Sequence, residues 1–412
     1  MAVSSGRAAL ALAVFKLGGA MLQRPNVDIR LEGERPTIES SPLASSRRLK
    51  AIASLLVVVG ALLAAAPAGA VPKLFWGVVP QLQQSDAQLR KLQRGGVDSV
   101  RLPVAWGSVQ PSPRGGFNWS SIDAQVAGAA RARLEVLPFL YDAPRWAVPA
   151  RRVPGSTGAK APLRLPVSGA AGRAWTSFAR AAVARYGPGG EFWSENPSLP
   201  QRPIHYWQVW NEPNFKYFVV RPNPAEYGRL VKRTASAIRS ADPHAQVILA
   251  GLFARPGEAA RPLHPPQAYY ATDFLRLMYQ RTPGVRAAFD GVALHPYTAT
   301  FQSLRPEIEE VRSVLRRAGD GGVGLWITEM GWSSERPNRS DSFAKGLQGQ
   351  AAQLKGAFSL LRSGQRRWHL KRVYWFSVDD VPGVCNFCGG TGLFRRNGRP
   401  KPAWHAYVHF AR

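Results

Sequence analysis

The chain has 412 residues, 45% of them hydrophobic and 19% charged, which excludes a wholly disordered polymer and allows one large buried core. Its 54 Lys and Arg against 26 Asp and Glu leave a net charge of +28, a balance that suits acidic partners: nucleic acid, anionic membrane or acidic polysaccharide. The basic residues are scattered and mostly Arg, with no long basic run, RNA-binding signature or zinc-finger spacing, so nucleic acid is not an expected partner.

Residues 1–50 carry no clear helical or strand period, and 24–46 mix Pro, Ser and charge as disordered leaders do. The leader is long, so Met21 is a candidate downstream start. Arg47-Arg48-Leu49-Lys50 then precedes an apolar run from Ala51 to Ala66, which ends in Pro67-Ala68-Gly69-Ala70. Positive flank, apolar core and small-residue end form the pattern of a secretory signal over 51–70, with cleavage expected after Ala70. The rival is an uncleaved membrane anchor over the same residues. The next strand is expected to start near Leu74, which leaves an anchored domain almost no linker. Either version puts the rest of the chain outside the cytoplasm, because the positive flank stays inside.

From Leu74 onward, apolar runs alternate with helical stretches. The runs are FWGVV from Phe75, SVRLPVAW from Ser99, RLEVLPFL from Arg133, HYWQVW from His205, QVILAGLF from Gln246, GVALHPY from Gly291, GLWITEM from Gly324 and VYWFSV from Val373. They are continuous rather than alternating, as parallel strands covered on both faces should be. Helices are expected near 84–94, 120–132, 172–186, 267–281, 303–318 and 341–363, with a last one near 402–410. The clearest begins at Asn223-Pro224, a cap followed by Pro at the first helical position. It carries Tyr227, Leu230, Val231 and Ile238 on one face and stops at Asp242-Pro243. Eight strand–helix units predict an α/β fold, a (β/α)8 TIM barrel over 71–412. No glycine-rich phosphate loop follows the first strand, which disfavours a dinucleotide fold. The Pro- and Arg-rich stretch from Tyr141 to about Ala170 is expected to be an elaborated loop.

In such a barrel, chemistry sits where strands end. Strand four ends in Trp210-Asn211-Glu212-Pro213-Asn214, and strand seven in Thr328-Glu329-Met330-Gly331-Trp332. A carboxylate directly after an apolar run is costly to bury without a reason. One such Glu fits a structural salt bridge; two, at strands four and seven, fit paired catalytic carboxylates better. Cys385 and Cys388 are the only cysteines. With no second pair a zinc site is not expected, and in an exported chain a short loop disulfide is the better reading, two free thiols being the alternative.

The pattern W-N-E-P on strand four and I-T-E-x-G-W on strand seven resembles clan A of the glycoside hydrolases, the "four-seven" superfamily. Families 39 and 5 and their relatives share the outline, and the T-E-x-G-W wording is similar to family 17. Gly392-Leu393-Phe394 and the run from Gly398 to Ala403 resemble the end of such barrels, so the likeness extends over about 74–410. The resemblance implies a retaining hydrolase of β-glycosidic bonds, with Glu212 as acid/base and Glu329 as nucleophile. It implies Asn211 on the sugar 2-hydroxyl and Arg101 beside the nucleophile. By position, Tyr297 is a candidate to bond Glu329, His295 to contact sugar or the acid/base, and Trp375 to floor the reacting sugar. Trp106, Tyr141 and Trp146 are weaker stacking candidates, better read as core or loop packing. No cofactor or metal is expected, since two carboxylates suffice. A transglycosylase and a catalytically silent carbohydrate-binding barrel for envelope assembly are the alternatives; the presence of both glutamates disfavours the second.

Arg145, Arg151, Arg152, Lys160, Arg164, Arg221, Arg255 and Arg261 fall in loops after strands three, four and five. They raise an anionic carbohydrate as substrate. The plainer reading is solvated loops in an Arg-biased chain, and Asp379 and Asp380 after strand eight dilute the charge. No protein partner or oligomeric state is indicated.

Overall fold

The computed structural model describes residues 72–154, 156, 158–255, 268–383 and 388–412. The expected leader, the signal or anchor segment 51–70, Met21, Arg261 and Cys385 lie outside the described residues. No helix among the described residues is long and apolar enough to cross a membrane.

Ten strands are described: β1 Trp76–Val79, β2 Ser99–Ala105, β3 Glu135–Tyr141, β4 Ala150–Arg152, β5 Lys160–Pro162, β6 Tyr206–Val209, β7 Gln246–Phe253, β8 Gly291–His295, β9 Gly324–Met330 and β10 Leu370–Phe376. Eight of them close a parallel barrel in the order β1, β2, β3, β6, β7, β8, β9, β10, and β10 returns to pair with β1 through Trp76↔Val373. Each apolar run of the sequence supplies one stave. The expected helices follow, at Asp86–Arg94, Ser120–Arg131, Gly169–Tyr186, Pro224–Ala241, Ala271–Arg281, Leu304–Arg317, Gly346–Gly364 and Pro402–Ala411.

Local chemistry sets their ends. Asn223 Oδ1 accepts from the Ala225 and Glu226 amides at 3.0 and 3.2 Å, and Pro224 opens the helix without wasting a donor. Its Tyr227, Leu230, Val231 and Ile238 are all buried against the barrel. Ser85 caps Asp86–Arg94 in the same way, through Gln88 N at 3.2 Å. The last helix seals the ring: Tyr407 Oη donates to the Gly77 carbonyl at 3.2 Å.

The loop after β3 departs from expectation in one respect. It contains the antiparallel hairpin β4–β5, with Arg151 opposite Ala161 and Arg152 opposite Lys160. Strands of three residues carry too little pattern to be read from sequence. The hairpin docks on the loop that follows β6: Val220 N donates to Pro162 O at 2.9 Å, and Val153, Ala161 and Val220 form a small apolar cluster of their own.

Candidate active site

Barrel alternation decides which side chains meet at the centre. Glu212 lies just past β6, the fourth stave, and Glu329 sits in β9, the seventh. The chain reaches Glu212 through an unfavourable path, with Trp210 at φ 73° and Glu212 at φ 40°. Non-glycine residues in that region cost about 1–3 kcal/mol each and persist only where surroundings impose them. Here the Trp210 amide is tied to Leu140 O, the Glu212 amide to Gly251 O, and the indole of Trp210 to Phe218 O. Asn214 locks the following turn by bonding the backbone of Phe253 and Tyr269. One oxygen of Glu212, one of Glu329 and a ring nitrogen of His295 all lie within 4.8 Å of one another.

Arg101 organises the Glu329 side of the site. It projects from β2 with no solvent exposure, its guanidinium 3.9 Å from the ring centre of Phe139. Nη1 donates to Glu329 Oε1 at 2.6 Å, Nη2 to Asn211 Oδ1 at 2.7 Å, and Nε to Gln208 Oε1 at 2.7 Å. Tyr297 Oη donates to the other Glu329 oxygen at 2.8 Å. Across the site, His295 Nδ1 lies 2.7 Å from Glu212 Oε1, and its Nε2 lies 2.9 Å from Thr328 Oγ1. Gly251 makes room for that ring, since a Cβ there would fall 1.8 Å from Nε2.

These partners separate the two carboxyls. Burial raises both. For Glu212 the negative charge of Glu329 adds to it and lifts the group well above the ordinary range. For Glu329, burial is opposed by the Arg101 charge and the Tyr297 hydroxyl. The pair therefore favours an ionised Glu329 beside a protonated Glu212. Burial, reinforced by Arg101, pushes His295 well below its usual value, so it is neutral near pH 7. Glu212, His295 and Glu329 are also the set among the described residues that offers three metal-ligand atoms close together; Arg101 and Tyr297 already engage both Glu329 oxygens.

Arg101, Asn211, Glu212, His295, Tyr297 and Glu329 thus converge. Trp375 does not, and the floor assigned to it is corrected. Its indole is fully buried beside Trp332 and Phe358, the latter on the covering helix Gly346–Gly364, and its Nε1 donates to Thr391 O. The two-residue period of β10 puts Tyr374 and Phe376 on the inner face instead, and the Phe376 ring lies 6.2 Å from that of Tyr297. Trp106 is core, packed on Trp146, Trp175 and Phe178. Tyr141 is partly buried at the end of β3. Cys388 is buried, and its expected partner Cys385 lies outside the described residues. Of the loop cations, Arg164 is bound to Glu226 and Arg255 to Glu307 and Glu310, whereas Arg145, Arg151, Arg152, Lys160 and Arg221 are exposed. Gln208 and Thr328 were missed. Their signal was a lone amide in the apolar β6 and a hydroxyl directly before Glu329 in β9.

Fold and site together define a glycosidase-type (β/α)8 barrel. A family model described as the glycosyl hydrolase catalytic core matches residues 190–407, more than half of the chain, and the chain belongs to that family. Over 221 residues it is 30% identical to a beta-xylosidase of Geobacillus stearothermophilus; the match covers 49% of this chain and 40% of that relative, so the chain spans well under half of the relative's length. Among solved structures it is similar to a family 39 glycoside hydrolase from Bacteroides cellulosilyticus WH2, with a TM-score of 0.57, 19% identity, and 83% and 65% of the two chains covered. It is similar to a monomeric beta-xylosidase from Caulobacter crescentus CB15, with a TM-score of 0.54, 16% identity, and 83% and 69% covered. An intracellular xylanase from Thermoanaerobacterium saccharolyticum, solved with xylotetraose, gives a TM-score of 0.53 at 15% identity, with 82% and 98% covered.

Proposed function

We propose that this chain is a retaining glycoside hydrolase acting on β-linked sugars through a covalent glycosyl-enzyme intermediate. The observation that carries the reading is that one carboxyl oxygen of Glu212 and one of Glu329 lie within 4.8 Å of each other, a close approach of the two groups. Retaining enzymes hold their carboxyls about 5–5.5 Å apart, whereas inverting enzymes need about 6.5–9.5 Å to admit a water. Glu212 protonates the leaving oxygen while Glu329 attacks the anomeric carbon. Once Glu329 is an ester its charge is gone, and Glu212 becomes a base for the incoming water. Arg101 fixes Asn211 with its oxygen inward, which leaves the Asn211 amide as a donor for a sugar hydroxyl. The similar xylosidase and xylanases make β-xylosides the first substrates to try. Export rests on the pattern of residues 47–70 alone.

The test is to offer the protein aryl β-glycosides and xylo-oligosaccharides and follow the first-formed anomer by proton NMR. A β-anomer released from a β-substrate is expected; an α-anomer at first turnover sinks the retaining mechanism. Including a sugar acceptor separates hydrolysis from transglycosylation, which uses the same ester but excludes water.

A second element concerns charge. The hairpin β4–β5 is fastened to the loop that carries Glu212, and it presents Arg151, Arg152 and Lys160 to solvent near Arg221 of that same loop. We propose that acidic β-glycans are preferred over neutral ones through this rim. Turnover of a carboxylated glycan relative to its neutral counterpart should fall as salt rises, by about severalfold over the range in which exposed charges are screened. Equal preference at all salt concentrations ends this part of the proposal.

A further inference from the structure

We infer that Gln208 and Thr328 are positioning residues: they hold His295 as its Nδ1–H tautomer and thereby confine the transferable proton of Glu212 to Oε2. The inference rests on the acid/base role proposed for Glu212.

Arg101 can only donate, so Gln208 Oε1, 2.7 Å from Arg101 Nε, must accept. That fixes the amide orientation. Gln208 Nε2 then points its two hydrogens at Leu249 O, 2.9 Å away, and Thr328 Oγ1, 3.3 Å away. Thr328 Oγ1 accepts there, and of its two partners only His295 Nε2, at 2.9 Å, can take the hydroxyl proton, which would otherwise be buried unpaired. Nε2 is therefore an acceptor and the ring proton resides on Nδ1. From Nδ1 it is donated to Glu212 Oε1 over 2.7 Å. All of Gln208, Thr328 and His295 are fully buried, so water does not compete for these directions.

The groups facing the imidazole agree. Arg101 on β2 opposes a second ring proton, Glu329 Oε2 on β9 lies 3.6 Å from Nδ1, the Tyr297 ring centre lies 6.4 Å from that of His295, and on β7 the ring packs against Gly251.

The consequence is chemical. Oε1 of Glu212 accepts from His295 whether the carboxyl is protonated or not. In the first half-reaction the Oε2–H bond breaks, and that proton passes to the glycosidic oxygen as its bond to the anomeric carbon breaks. In the second, Oε2 takes one proton from water as the water oxygen bonds to the anomeric carbon, the bond from that carbon to Glu329 breaks, and Glu329 leaves as carboxylate. His295 exchanges no proton in either half and stabilises the carboxylate between them.

The experiment is 15N NMR of histidine-labelled full-length protein, with pH profiles of kcat and kcat/KM. The wild type should give the Nδ1–H pattern for His295, unchanged through neutral pH. In Thr328→Val the hydroxyl that selects the tautomer is lost. The Nε2–H form should grow in, kcat should fall about tenfold with KM little changed, and the alkaline limb should move upward as Nδ1 draws the Glu212 proton to Oε1. Thr328→Ser should restore the pattern and the rate. An Nε2–H or imidazolium signature in the wild type overturns the inference, as does a folded Thr328→Val with unchanged tautomer and limb. If Thr328→Val does not fold, the wild-type and Thr328→Ser spectra decide it. The tautomer is read without substrate, so an inactive protein with the Nδ1–H signature faults the hydrolase reading and not the tautomer assignment.

Discussion

Glu329→Ala is expected to lower kcat for an activated aryl β-glycoside by about four to six orders of magnitude, and added azide is expected to restore turnover while giving an α-glycosyl azide. The loss follows from what Glu329 is held to do. Its Oε1 and Oε2 are gripped by Arg101 and Tyr297 at 2.6 and 2.8 Å, so the carboxylate is aimed and desolvated before substrate arrives. Without it no ester forms, and water alone lacks both position and charge. A small anion can enter the vacated space from the same face and displace the leaving group once, which inverts the anomeric centre. Glu212→Ala should behave differently. An aryl leaving group needs little protonation, so ester formation survives and its hydrolysis slows. Azide then attacks the ester and gives the β-azide. Coupling constants of the anomeric protons distinguish the two products. Full activity of a folded Glu329→Gln protein, or a β-azide from Glu329→Ala, contradicts the assignment. Thermal melting of each variant should accompany the kinetics, because loss of Glu329 leaves the buried Arg101 without its ion-pair partner.

How far these roles were legible from the chain depends on which forces fix them. The staves were legible because parallel strands covered on both faces must be apolar throughout, and all eight runs from Phe75 to Val373 became barrel strands. Glu212 and Glu329 stood out for the complementary reason, being charges where solvation is lost. Arg101 was reached only through the resemblance to clan A. Gln208 and Thr328 were not legible, because a single neutral polar residue in a strand gives no hint of its partners; these come from β2, β7 and β8, which meet only when the barrel closes. Trp375 failed for a narrower reason. Strand alternation makes a one-residue offset a change of face, so naming the largest aromatic on β10 in place of its neighbour Phe376 moved the expected floor from the site to the helix layer. Gly251 shows the opposite limit: its lack of a side chain matters only because the His295 ring occupies that space.

Arg101→Met is expected to cut kcat/KM by about two to four orders of magnitude and to move the acid limb of its pH profile upward. The sign comes from the two carboxyls. On the proposed mechanism the productive enzyme has Glu329 ionised and Glu212 protonated, so the rate should fall when pH drops through the titration of Glu329 or rises through that of Glu212. Burial already raises Glu329, and the Arg101 charge is the largest influence opposing it. Removing that charge lets Glu329 rise further, so a higher pH is needed to ionise it. Arg101 also lowers Glu212, though less than burial and Glu329 raise it, so the alkaline limb should follow upward by a smaller amount. The profile then shifts to higher pH and narrows, with limbs that belong to the coupled pair rather than to either residue. Stability should fall by about 3–5 kcal/mol, because Met leaves Glu329 and the oxygens of Asn211 and Gln208 without their buried donor. Arg101→Lys is the discriminating companion. It keeps the charge but can reach only part of the fork that serves three acceptors. It should recover much of the acid limb and little of the rate, since Asn211 loses the partner that orients its amide. A Met variant whose acid limb stays in place would mean that the ionisation of Glu329 is set by something other than the guanidinium beside it, and the division of labour between the two glutamates would lose its physical basis.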